Sequence, residues 1–223
     1  MALAWDRFAE EVARRRPVFW LRDDDAVTVT PALQRLLSFG VPVALAVIPD
    51  LAEPGLFKTD VAFMQHGCDH RNRAAPGEKK TEFPAGEAIP DALARLGRSH
   101  ERLISLGKDR VLPVIAPPWN RMRRELAGQL PSIGIRGFSG YRGERVPNLL
   151  QHDTHVDIVA WKAGRRFIGE EEAVRLAMTY VAQGKPIGWL THHAVHDESA
   201  WAFLGRLFAL RGPRWVSAAE LFS

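Results

Sequence analysis

Phe19-Trp20-Leu21-Arg22-Asp23-Asp24-Asp25 is the stretch on which the reading of this chain turns. Residues 18–22 form an apolar run that reads as a buried strand, and it ends in three consecutive carboxylates. Crowded like charges disfavour one another's ionised forms, so such a cluster is kept most easily where a cation sits in it or a proton is shared across it. Along an extended strand end, Asp23 and Asp25 share a face while Asp24 points away. A turn beginning at Asp24 would instead bring Asp24 and Asp25 together, one to bind a metal and the other to take a proton from water.

Working outward, residues 62–65 form a second apolar run that leads into His66-Gly67-Cys68-Asp69-His70. A four-residue separation places two imidazoles together on a helical turn, a common two-point metal site. Cys68 between them reads as a small buried filler. Residues 111–115 run into Ala116-Pro117-Pro118-Trp119-Asn120, a stiff loop in which the prolines remove two backbone donors. The Trp119 and Asn120 amides that remain suit an oxyanion hole, with a structural proline turn as the equal alternative. A further run, residues 187–191, ends in Thr191-His192-His193, where one histidine is placed to act as a general acid. His152, His155 and Asp157 make a polar knot before Trp161, and His100 reads as a helix-surface residue. Trp119 and Trp161, beside polar motifs, are candidates to stack on sugar rings. No serine or cysteine sits in a nucleophile elbow. Carboxylates and histidines at the ends of separate strands therefore point to a metal-dependent hydrolase.

The rest of the chain supplies the frame. Thr30 followed by Pro31 opens a helix over 31–39 that Gly40 closes. Strands are expected at 41–48, 135–139, 156–159 and 214–216, and helices at 89–106, 123–130, 170–182 and from a Ser199 cap to residue 210. Residues 74–88, rich in Gly, Pro, Lys and Glu, read as an exposed loop and candidate mobile lid. Strands alternating with helices give an α/β chain of parallel βα units. The polar clusters fall at the C-terminal strand ends, where such folds place their sites. A barrel fits better than a doubly wound sheet, because no Gly-x-Gly-x-x-Gly or Walker-type loop follows the first strand.

The 223 residues, 46% hydrophobic, suffice for one domain spanning 1–223. A lone cysteine excludes an intramolecular disulfide and fits a reducing compartment. Acidic residues near the N-terminus do not match a signal peptide, and no apolar run is long enough to span a bilayer. A cytoplasmic location with no membrane partner is the expectation. The net charge of +4 is scattered over short basic clusters, without the basic helix or aromatic platform of a nucleic-acid binder. A basic mouth that attracts anionic substrates is the functional alternative to a merely solvated surface.

Taken in order, the motifs resemble the polysaccharide deacetylase (NodB-homology) family, carbohydrate esterase family four. Asp24-Asp25 matches its strand ending in Asp-Asp, His66 and His70 its His-Ser/Thr-x-x-His, Ala116-Pro117-Pro118-Trp119 its Arg-x-Pro-Tyr-like loop, and Leu190-Thr191-His192 its Leu-x-His. The resemblance covers nearly the whole chain. It implies a distorted, incomplete (β/α) barrel of about seven strands. It also implies a divalent metal, usually zinc, held by Asp25, His66 and His70, with Asp24 as the base that activates the attacking water. The Trp119 amide would hold the oxyanion and His192 would protonate the departing amine. Pro118, Asn120, Arg121, Trp161 and His193 would line the substrate, a small molecule or oligosaccharide carrying an N-acetyl group. A non-sugar amide or ureide, or a catalytically silent carbohydrate-binding role, are the alternatives on the same fold. Several positions depart from the pattern: Ala26 replaces the glycine after the paired aspartates, and Asp23-Asp24 is the alternative pair. Ala116 replaces the arginine, which Arg121 or Arg22 would supply, and His193 is the alternative acid. Only Asp157 and Trp161 suggest the family's Asp-Trp motif.

Overall fold

A computed structural model describes residues 4–223, which group into two compact units. Both are built from parallel strands and helices, the α/β class that the alternating pattern predicts.

The first unit takes in the chain up to Asp24, Val29–Val43 and Thr154–Leu221. Its central strand, Val18–Ala26, lies parallel to Ile187–Thr191, which lies parallel to Thr154–Asp157. Arg214–Trp215 pairs with the start of the central strand. Register sets Asp23 against Thr191 and Leu190 against Asp157, so three polar strand ends meet. The run from Phe19 to Asp24 is buried without interruption, as a strand covered on both faces must be. Phe8, Phe19, Trp189 and Phe203 form an aromatic core, with Trp189 edge-on to Phe8 and Phe19 and tilted against Phe203. Phe8 comes from a helix, Ala4–Arg15, that the sequence reading passed over although Trp5, Phe8 and Val12 mark its buried stripe.

The Thr30 cap is present: its hydroxyl accepts from the Leu33 amide at 3.1 Å, and the helix runs Pro31–Leu37. The last long helix, Glu198–Phe208, is capped by Asp197 and not by Ser199, because Asp197 Oδ1 accepts from the Ala200 amide at 2.8 Å. The strand expected at 156–159 lies at Thr154–Asp157. The chain then turns at Ile158 into a small antiparallel pair, Val159–Ala160 with Arg166–Phe167.

The second unit comprises Asp25–Thr28, Ala44–Asp153 and Phe222–Ser223. Its parallel strands follow in the order Val43–Val47, Ala62–Gln65, Val111–Ile115, Gly137–Phe138 and Leu150–Gln151. The long helix Ile89–Gly107 buries Leu96, Leu103 and also His100, which was expected at the surface. The predicted helix over 123–130 divides into Arg124–Ala127 and a 3₁₀ turn, Leu130–Ile133, that accommodates Pro131 in its first turn.

Residues 74–88 are not exposed throughout. Glu82 and Phe83 are buried, and Arg123 donates to the carbonyls of Ala85 and Glu87. The second half of the segment is fastened to the core, which the polar composition concealed. Among the described residues no helix is long and apolar enough to cross a membrane.

Candidate active site

Asp25, near the end of the Val18–Ala26 strand, adopts φ +67°, a left-handed conformation uncommon for a residue with a Cβ. The chain therefore departs from simple strand alternation at Asp25, one residue later than the turn considered from sequence. Its Oδ1 lies 3.1 Å from His66 Nε2 and 3.2 Å from His70 Nε2.

His66 follows the Ala62–Gln65 strand directly, and its amide donates to Val47 O at 2.7 Å. Its Nδ1 is 2.7 Å from the Ala116 carbonyl, which can only accept, so Nδ1 carries the proton and Nε2 presents its lone pair. His70 reaches the same place by a loop, not by the helical turn expected from the four-residue spacing. Positive φ at Gly67 (+64°) and His70 (+56°) folds the segment back, and the two imidazoles stack with centroids 5.1 Å apart. Glycine is required at position 67: a Cβ there would lie 2.0 Å from Glu82 Oε2 and 2.7 Å from Pro118 Cγ.

These three side chains, one carboxylate and two imidazoles, offer ligand atoms within 4.8 Å of one another. That donor set and the His66 tautomer fit a divalent metal ion. Cys68, between the histidines, is wholly buried and its thiol is pushed up to about 12 by burial, as befits a filler.

Beside this group, Trp119 sits in the Pro118–Asn120 turn at φ +55° with its ring 4.4 Å from that of His70. The Asn120 amide donates to Pro117 O at 2.8 Å and so is not the open donor anticipated; the Trp119 amide takes no part in closing the turn. Pro118 is buried, and Arg121 is exposed with its guanidinium on the Lys80 carbonyl. Arg121 therefore does not fill the place of the missing arginine.

The first unit carries a second polar network. Arg22 binds Asp24 through two parallel bonds, Nε to Oδ1 at 2.8 Å and Nη2 to Oδ2 at 3.0 Å, with both side chains buried. A bidentate guanidinium fixes the carboxylate in its own plane. Asp23 is committed elsewhere: it accepts from Thr191 Oγ1 at 2.7 Å and from the His193 amide at 2.9 Å, and pairs with His193 Nδ1 at 2.5 Å. Burial opposes the charge on Asp23, but His193, His196 and Thr191 outweigh it and hold its carboxyl below the usual range. His193 is thus buried against Asp23.

His192 is placed differently. Its Nε2 lies 4.0 Å from Asp24 Oδ2, and its ring meets the edge of Trp161 at 4.6 Å. Trp161, 42% exposed, donates from Nε1 to Asp157 Oδ2 at 2.8 Å. Burial raises the Asp157 carboxyl above its ordinary range, against the pull of His192.

His196, which sequence reasoning left without a role, uses Nε2 to accept from the His192 amide at 3.3 Å. Burial pushes it down to about 4, although Asp23 pulls the other way. The unfolded chain therefore binds the extra proton between roughly pH 6.5 and 4. The His196 contribution to stability is full above that window and declines as pH falls through it, by up to about 1.4 kcal/mol per pH unit. Thermal melts of the wild type and His196→Asn should show a shallower acid slope in the variant; parallel slopes would contradict this assignment.

No family model and no curated protein sequence matches the chain, but solved structures do. A peptidoglycan deacetylase from Bacillus subtilis aligns over 92% of this chain and 90% of its own, with a TM-score of 0.58 and 15% identity. A family 4 carbohydrate esterase from Streptomyces lividans, in complex with acetate, aligns over 89% and 91% with a TM-score of 0.59 and 14% identity. The Bc1960 peptidoglycan N-acetylglucosamine deacetylase aligns over 92% and 87%, with a TM-score of 0.58 and 15% identity. The chain has the polysaccharide-deacetylase fold. This is the distorted, incomplete (β/α) barrel that the motif order implied. Within the polysaccharide-deacetylase fold, Arg22 binds the Asp24 carboxylate here, one strand position before the aspartate run, while position 116 is alanine.

Proposed function

We propose that the protein is a metal-dependent amide hydrolase that removes the acetyl group from an N-acetylated sugar or related molecule, with zinc as the metal. The Asp25–His66–His70 group carries this reading, because one carboxylate and two neutral imidazoles leave open positions on a zinc ion. The bound ion would polarise the amide carbonyl and lower the pKa of water.

The chain's own residues supply the remaining chemistry. Asp24, fixed in place by two bonds from Arg22 and joined to Asp25 by one peptide bond, takes a proton from the attacking water. The water oxygen bonds to the carbonyl carbon, and the Trp119 amide donates to the oxygen that gains charge. His192, flanked by Trp161 and by the Asp157 carboxyl, gives a proton to the nitrogen as the C–N bond breaks. Acetate and a free amine leave. Trp161 offers an apolar face for a sugar ring, and Asn120 and Arg121 offer polar contacts at the Trp119 turn. The printed activities of the similar structures, peptidoglycan and N-acetylglucosamine deacetylation, support an N-acetylhexosamine as the first substrate to try.

Acetate release from a panel of N-acetylated sugars, with and without added Zn²⁺, tests the proposal; zinc-loaded protein that releases none would overturn the deacetylase reading. His192→Ala should lower kcat by about 10²–10⁴-fold. His193→Ala should mainly lower the melting temperature, because it strands buried Asp23. If His193→Ala is folded and catalytically dead while His192→Ala is active, the acid is misassigned.

A further inference from the structure

Glu82 lies in the segment that sequence reading assigned to an exposed lid, yet its side chain is wholly buried. Its Oε1 accepts from two consecutive backbone amides, Cys68 at 2.9 Å and Asp69 at 3.1 Å, and from Arg95 Nη1 at 2.8 Å. Cys68 and Asp69 lie, with Gly67, between the two histidines of the candidate metal centre. Consecutive amides converging on one oxygen form a concavity for an acceptor, and here that acceptor is part of the protein. The loop closes on it without slack, since Gly67 has no room for a Cβ beside Glu82 Oε2. Arg95 is itself fixed, bonded to the Glu82 carbonyl at 3.2 Å and to Glu87 at 3.0 Å, with its guanidinium over the Phe83 ring. A buried carboxylate persists only with such partners.

We infer that Glu82 is a positioning residue for the metal centre: its carboxylate moulds loop 66–70 so that His66 and His70 are set for an ion before one binds. The inference rests on the proposed metal-binding role of those histidines. Its physical basis is preorganisation. A loop that visits the ligating geometry only part of the time binds more weakly in proportion to that fraction, and the Glu82 bonds hold the two peptide units that determine where His70 points. A staple that served overall stability alone would lower the melting temperature and leave metal affinity of the folded protein unchanged.

The test is competition titration of Zn²⁺ against a chromophoric chelator, on metal-stripped wild type, Glu82→Ala and Glu82→Gln, well below each melting temperature. Glu82→Ala should bind Zn²⁺ about 10–100-fold more weakly. Glu82→Gln should recover most of that loss, because its amide oxygen still accepts both backbone N–H groups. Folded Glu82→Ala with wild-type affinity overturns the inference and leaves the metal centre standing; wild type that binds no Zn²⁺ overturns both. Should Glu82→Ala fail to fold, hydrogen exchange on metal-free wild type decides instead. Protected Cys68 and Asp69 amides support the preformed loop, and free exchange at both overturns it.

Discussion

Replacing His66 and His70 together by alanine is expected to abolish stoichiometric metal binding and, with it, amide hydrolysis. Wild type should retain about one equivalent of zinc after dialysis, the occupancy of a single three-ligand site, and the double variant none. Asp25 lies on one strand end and the histidines follow another, so the double variant keeps a single one of the three ligands. The fold should survive. His66 Nδ1 bonds to Ala116 O, and losing that bond costs about 1 kcal/mol. Far-ultraviolet circular dichroism of the variant should therefore match wild type. Unchanged metal content in His66→Ala/His70→Ala would place the metal elsewhere and remove the basis of the proposed chemistry.

Asp24→Asn should leave metal content intact while lowering turnover by about 10²–10⁴-fold, because an amide cannot accept the proton from water. This variant carries a second, separable effect. Arg22 and Asp24 are both buried and joined by two hydrogen bonds, so neutralising one leaves a buried guanidinium without its counter-charge. Removing one partner of such a pair costs about 3–5 kcal/mol. The companion variant Arg22→Met/Asp24→Asn should regain much of the lost melting temperature, since both charges are then absent, but none of the activity. Equal activity in Asp24→Asn and wild type would remove Asp24 as the base. Activity returning in the double variant would show that the loss came from misfolding.

Much of the frame was legible because its signals are local. Thr30 with Pro31 announces a helix start through a cap and a fixed φ, and the Ala62–Gln65 and Ile187–Thr191 strands are short apolar runs bounded by polar clusters. The His66–His70 pairing was legible as spacing, but not as shape: the segment is a loop bent by positive φ at Gly67 and His70, where a helical turn was expected. Local signals also misled. Ser199 resembles a cap as well as Asp197 does, and only the position of the Ala200 amide separates them. Residues 81–83 carry the composition of an open loop, yet Glu82 is buried because its partners lie on Arg95 and in loop 66–70.

The residue types at the strand ends are readable along the chain: three aspartates, a histidine pair, a proline-stiffened turn and a closing pair of histidines. Those identities and their order point to the fold class and to the chemistry proposed above. Which of these residues pair with one another follows only from the fold. Arg22 and not Arg121 binds Asp24, and Asp23 is committed to His193, which leaves His192 beside Trp161. Identical side chains one position apart are indistinguishable along the chain. Strand register, backbone φ and burial set where each one points and whether its charge meets a partner, and those depend on contacts from residues more than a hundred positions away.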